Sequence, residues 1–169
     1  MLVADASSRL IAQCEEFLTQ KKLVLASQFF CKTPPELAPQ YIAVWIMKEY
    51  VHSHFLILKH GYTHCMRHRC DEVNLDGSKR PSTDVRATYG HAQKMRASMT
   101  YAFGRIHGLG SMHWQHSADG MIGNPSVSEE VSRYMLSLRQ RKVQAGEAAT
   151  SARAITAVCL LLSWEQIES

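Results

Sequence analysis

The chain has 169 residues, of which 46% are hydrophobic and 20% charged, and a net charge of +4. This is room for one globular domain with at most a small addition. No run approaches the roughly 18 consecutive apolar residues of a membrane span. Met1–Asp5 lacks the basic start and longer apolar stretch of a secretory signal, so the expected location is inside the cell. Cys14, Cys31, Cys65, Cys70 and Cys159 are an odd, scattered set and read as thiols rather than a disulfide frame.

The positive charge is not spread evenly. Residues 1–50 and 51–77 are each neutral, the last twelve carry only Glu165 and Glu168, and residues 78–157 hold eleven basic against five acidic side chains. An excess gathered in one segment suits a polyanion-binding surface, and equally a solvated basic face with no partner.

In chain order, residues 6–30 read as a helix with Leu10, Cys14, Phe17 and Leu18 on one apolar stripe. Asp5, Ser7 and Ser8 are candidate caps, and Thr33-Pro34-Pro35 sets the limit. Thr33 can cap a second helix with Pro34 in its first turn, although Pro39 inside the pattern moves the regular start to that point. Ile42, Trp45, Ile46 and Tyr50 mark its buried side. Residues 51–70 have little periodicity, and Asn74–Ser78 with Pro81 reads as a turn-rich connection.

The best-patterned helix covers 83–106, with Val85, Tyr89, Ala92, Met99, Phe103 and Ile106 along one side, and ends at Gly108 and Gly110. A loop with Trp114, Gly120, Gly123, Asn124 and Pro125 follows. Ser126 and Glu129 have capping-box spacing before a helix that turns Val127, Val131, Tyr134, Met135 and Leu138 inward. It finishes on Arg139, Arg141 and Lys142, cations suited to a helix C-terminus, and Gly146 closes it. Thr150 or Ser151 can cap a last helix through Ala154, Ile155, Val158 and Leu161–Leu162. No convincing strand alternation is present, and the expected class is all-α: a small helical bundle with an N-terminal helical extension.

Three stretches carry a resemblance. They are Ala87-Thr-Tyr-Gly-His-Ala-Gln-Lys-Met-Arg96, Ser126-Val-Ser-Glu-Glu-Val-Ser-Arg-Tyr-Met-Leu-Ser-Leu-Arg139 and Thr150-Ser-Ala-Arg-Ala-Ile-Thr156. Together, Thr83 to Thr156 resembles the N-terminal core-binding domain of tyrosine recombinases of the phage-integrase type, closest to the recombinase-like proteins of mushroom-forming fungi. The middle element follows the family pattern well, whereas Ala154 replaces a usual hydroxyl residue in the last. The resemblance covers about half of the chain and implies a division into an N-terminal helical extension (1–50), an irregular segment (51–78), a core-binding helical domain (79–157) and a short helix end (158–169).

In that family the domain forms half of a clamp around duplex DNA. The resemblance therefore implies a non-catalytic, nuclear DNA-binding fragment, largely indifferent to base sequence because phosphates would be its main contacts. Candidate contacts are Arg86, Lys94, Arg96, Arg133, Arg139, Arg141, Lys142, Thr150, Ser151 and Arg153. The family's arginine clamp and nucleophilic tyrosine belong to a catalytic half downstream. Tyr89, Tyr101 and Tyr134 read as core residues, so no strand cleavage is expected.

The segment with His52, His54, His60, His64, Cys65, His68 and Cys70 has one pair, His64 and His68, spaced to share a helix face. It has no Cys-x2-Cys pair or finger spacing, and the expectation is no metal and no cofactor. A small metal-binding protein remains an alternative. The family-like text runs from Trp45–Lys48 directly to Cys70–Val73, and the codons available to Glu49-Tyr50-Val51 and Val158-Cys159 resemble fungal intron starts. On that reading, residues 50–69 and 158–169 are translated introns. The other alternative is a helical protein–protein interaction domain that self-associates through Trp45, Trp114 or the end of the last helix.

Overall fold

In the computed structural model, which describes residues 2–48, 70–74, 76–81, 86–118 and 120–147, the first apolar stripe folds as α1 (Leu2–Gln20). Cys14, Phe17 and Leu18 are buried along it. The helix starts earlier and stops sooner than the expected 6–30, so Ser7 and Ser8 lie within it rather than at its cap. Its end is a Schellman closure. Leu23 N–H reaches Leu18 O at 3.1 Å, Lys22 N–H reaches Thr19 O at 3.1 Å, and Lys22 sits between them at φ 53°. No glycine marks this stop, which is why the pattern overran it. The single turn α2 (Ala26–Phe29) then delivers Phe29 to the core.

α3 (Ala38–Lys48) begins beside Pro39, whose fixed φ suits a first turn, so Thr33 does not cap it. Ile42, Trp45 and Ile46 are fully buried. Trp45, named as a self-association surface, is therefore a core residue and cannot meet a second chain. Residues 70–74 and 76–81 form a tight loop: Asn74 N–H bonds Ser78 O at 2.9 Å and Val73 bridges Lys79. Position 79, expected as a domain boundary, falls inside this loop.

α4 (Tyr89–Tyr101) starts later than the expected 83, because Thr88 is extended and its hydroxyl accepts from His91 N–H at 3.3 Å. Ala92, Met95 and Met99 pack inward. The helix then widens into a π-turn at Ala102–Ile106. The change of pitch shifts the helical phase. Ile106, expected on the buried stripe, is accordingly 56% exposed. Tyr101, expected in the core, lies before the π-turn on the side of α4 opposite Ala92 and is 41% exposed.

The next loop holds a short antiparallel ribbon that sequence alternation did not reveal. It pairs β1 (Gln115–Ser117) with β2 (Gly120–Ile122), strands too short and too exposed to leave a pattern. A 3₁₀ turn, Pro125–Val127, leads into α5 (Glu129–Gln144). Its cap is Ser128, which accepts from Val131 N–H at 3.2 Å, and not Ser126. Ser126 is instead buried and bonded to Asn124. Val131, Met135 and Leu138 are buried as the spacing predicts.

The described residues are mostly helical around one core. Phe29 of α2 meets Phe103 edge-on at 5.3 Å, and Phe30 stacks on the same ring at 5.4 Å. Leu18, Trp45, Met95, Met99 and Leu138 belong to the same cluster. The helices of residues 1–48 thus share the core of α4 and α5. Among the described residues, no helix is long and apolar enough to cross a membrane. The expected last helix, Tyr50, the two intron-like segments and the histidine-rich segment apart from Cys70 lie outside the described residues.

Candidate nucleic-acid interface

The structure separates the candidate cations into two kinds. Arg86, Arg141 and Lys142 are used internally. Fully buried Asp71 receives Arg141 Nε at 2.8 Å and Nη2 at 2.7 Å, the Tyr134 hydroxyl at 3.1 Å, and the backbone N–H groups of Glu72 and Val73. Its neighbour Glu72 pairs with Arg86 and with Lys142, the latter at 3.1 Å. Arg86 also donates to Arg80 O and Pro81 O. Lys142, only 4% exposed, donates to Ala87 O at 2.7 Å and lies 3.6 Å from Glu147. Glu147 in turn accepts Tyr89 N–H, a first-turn donor of α4, at 2.7 Å.

These contacts pin residues 70–73 and the start of α4 to the end of α5. Burial, then the nearby Asp71 carboxylate, pushes the Tyr134 phenol far above its ordinary value. The hydrogen bond to Asp71 raises Arg141. A carboxylate held by two guanidinium nitrogens and a phenol that resists ionisation make a structural clasp.

The other candidates face outward or keep part of their charge available. Arg96 lies half-buried along the entry to α5, with Nε on Ser126 O at 3.0 Å and Nη2 on Ser132 Oγ at 2.9 Å. Arg133 is exposed and paired with Glu129 one turn back. Lys94 and Arg139 are exposed with no ion-pair partner among the described residues. Thr150, Ser151 and Arg153 lie outside those residues.

Arg105, not among the expected contacts, joins Lys94 on the outer side of α4 and its π-turn. Lys94 and Tyr101 are seven apart, two helical turns along one face, and Arg105 follows one turn later. Beside this line runs a groove of about 580 Å³ bordered by Ala97, Thr100, Tyr101, Gly104, Arg105 and Ser111. Its floor is held in place. Gly110 N–H bonds Gly104 O at 3.1 Å, while the amide of fully buried Asn124 donates to Gly110 O at 3.0 Å and Thr100 O at 3.3 Å. Gly104 is required there, since a Cβ would stand 2.8 Å from Gly110 O.

The sequence signal for this surface was present but concerns absence. Between Asp84 and Asp119 there is no acidic residue, while Arg86, Lys94, Arg96 and Arg105 and four histidines fall in that interval. Arg105 and Tyr101 were not among the expected contacts: Tyr101 read as a core residue from its apolar neighbours, although helical phase sets it opposite Ala92 and on the side of Lys94.

Among the described residues no group of histidine, cysteine and acidic side chains could hold a metal ion. Cys70 packs its sulfur 3.7 Å from Met95 Sδ in the core. No family model, no curated protein and no solved structure matches this chain.

Proposed function

We propose that the chain is a non-catalytic nucleic-acid-binding module that holds the phosphate backbone against the outer face of α4, with duplex DNA and a nuclear setting as the resemblance to recombinase core-binding domains implies. The observation that carries this reading is the acid-free stretch from residue 85 to 118, which places Lys94 and Arg105 on one face with no ion-pair partner among the described residues. Such cations exchange their counterions for phosphates, and no neighbouring carboxylate on that helix repels the polyanion. Arg96 and Arg139 are supporting contacts. Arg86, Arg141 and Lys142 contribute by holding the fold.

Anisotropy titration of a labelled random duplex of about 30 base pairs, and of its separated strand, at about 50 and 200 mM salt tests the proposal. Binding weakens steeply with salt, and the double change Lys94→Glu with Arg105→Glu abolishes most of it. Absence of binding to both forms at the lower salt removes the proposal. Equal binding by the double variant removes its placement on α4.

A further inference from the structure

We propose that the groove beside α4 receives an unstacked base, so that the preferred ligand at this face is single-stranded nucleic acid. The inference rests on the nucleic-acid reading above and changes the form of the ligand.

A duplex offers a protein its phosphates and the edges of paired bases, and it is best met by a protruding element or a dense array of cations. The outer face of α4 offers something else. It has only two cations without an ion-pair partner among the described residues, Lys94 and Arg105, and between them an exposed aromatic ring at the rim of a depression. Tyr101 keeps 41% of its surface exposed at the end of α4, where Met95 and Met99 are buried. A part-exposed ring that lines a groove offers an unpaired base a surface to stack on, which paired and stacked bases cannot use.

The groove fits the same occupant. Ala97 and Gly104 lower its wall, leaving about 580 Å³ open beside the ring. Thr100 Oγ1 is already engaged with Arg96 O and Ser126 Oγ, and Asn124 occupies the carbonyls of Thr100 and Gly110. The floor thus presents few unfilled polar groups, and a base would be held by stacking and shape with little discrimination between the four. Arg105, four residues beyond Tyr101, and Lys94, seven before it, flank the platform where a strand's phosphates would run. Both DNA and RNA strands carry these features.

The test compares labelled DNA and RNA strands of about 12 nucleotides with the DNA duplex of the same sequence, using the full chain at about 50 mM salt. The strands bind about tenfold tighter than the duplex. Tyr101→Ala lowers strand affinity by roughly tenfold while duplex affinity changes little, and Tyr101→Phe retains the strand affinity. Because Tyr101 is exposed, the thermal transition of each variant stays near that of the parent. Equal or tighter duplex binding overturns the inference and leaves the nucleic-acid reading standing, as does undiminished strand binding by Tyr101→Ala. Failure of all three ligands to bind overturns both. A difference between the DNA and RNA strands identifies the sugar that is read, with the inference upheld.

Discussion

Asp71 is fully buried and accepts five hydrogen bonds, two of them from Arg141. Removing a single partner from a buried ion pair leaves a desolvated charge behind, which costs more than the intact pair contributes. Arg141→Met should therefore destabilise the fold by about 3 kcal/mol in urea denaturation. Adding Asp71→Asn to it should recover part of that loss, a coupling that a double-mutant cycle reads directly. Strictly additive losses would show that the two side chains act independently. Tyr134 gives the same clasp a pH signature. Its folded pKa is raised, so its contribution is fully present below about pH 10, the ordinary tyrosine value, and is lost as pH rises toward the folded value. The stability difference between the parent and Tyr134→Phe, roughly 1–3 kcal/mol at neutral pH, should shrink above pH ~10 in thermal melts; a constant difference would contradict it. None of this was legible in the sequence. Arg141 stands seventy residues from Asp71, and charge counts alone cannot tell a cation that closes a core from one that awaits a phosphate.

The helices show where periodicity suffices and where it stops. Val131, Met135 and Leu138 on α5, and Ala92 and Met99 on α4, are buried where the 3.6-residue spacing puts them. That spacing cannot anticipate the π-turn at Ala102–Ile106, which depends on a neighbour: the loop from Leu109 to Gly110 folds back to donate to Phe103 O and Gly104 O. The exposure of Ile106 was hidden for the same reason, whereas Tyr101 precedes the π-turn and shares its side of α4 with exposed Lys94 by ordinary helical phase. Gly104 and Gly90 make a paired test of this geometry. At Gly104 an added methyl would press on a carbonyl that Asn124 already holds, so Gly104→Ala should cost about 1–3 kcal/mol. At Gly90 the nearest atom is Thr88 Oγ1 at 3.7 Å and the backbone is helical, so Gly90→Ala should stabilise by roughly 0.5–1 kcal/mol. Thermal melts of the two variants should shift in opposite directions, and an unchanged or raised midpoint for Gly104→Ala would contradict the tight approach there.

The division at residues 50 and 79 that the sequence suggests is not a division of the core. A run of helices followed by an unpatterned, histidine-rich stretch looks like an extension joined to a domain, because composition reports where the chain changes character and not which side chains meet. Phe29 and Phe30 close on Phe103, and Leu18, Trp45 and Leu138 share the cluster with Met95 and Met99. If residues 79–157 were a self-sufficient domain, removing residues 1–48 would leave its transition nearly unchanged. The packing argues otherwise, since that deletion would expose Met95, Met99 and Phe103 together. Each large apolar side chain stripped of its partners forfeits about 1.5–3 kcal/mol of burial, and a few such losses equal the whole stability of a small domain. The full chain should unfold in one transition in urea, with coincident midpoints by far-ultraviolet circular dichroism and by tryptophan fluorescence. The segment 79–157 expressed alone should show no cooperative transition, and Trp45→Ala in the full chain should cost about 3–5 kcal/mol. A cooperative transition in the isolated segment, with a midpoint near that of the full chain, would establish residues 79–157 as an independent domain and reduce α1–α3 to an accessory layer.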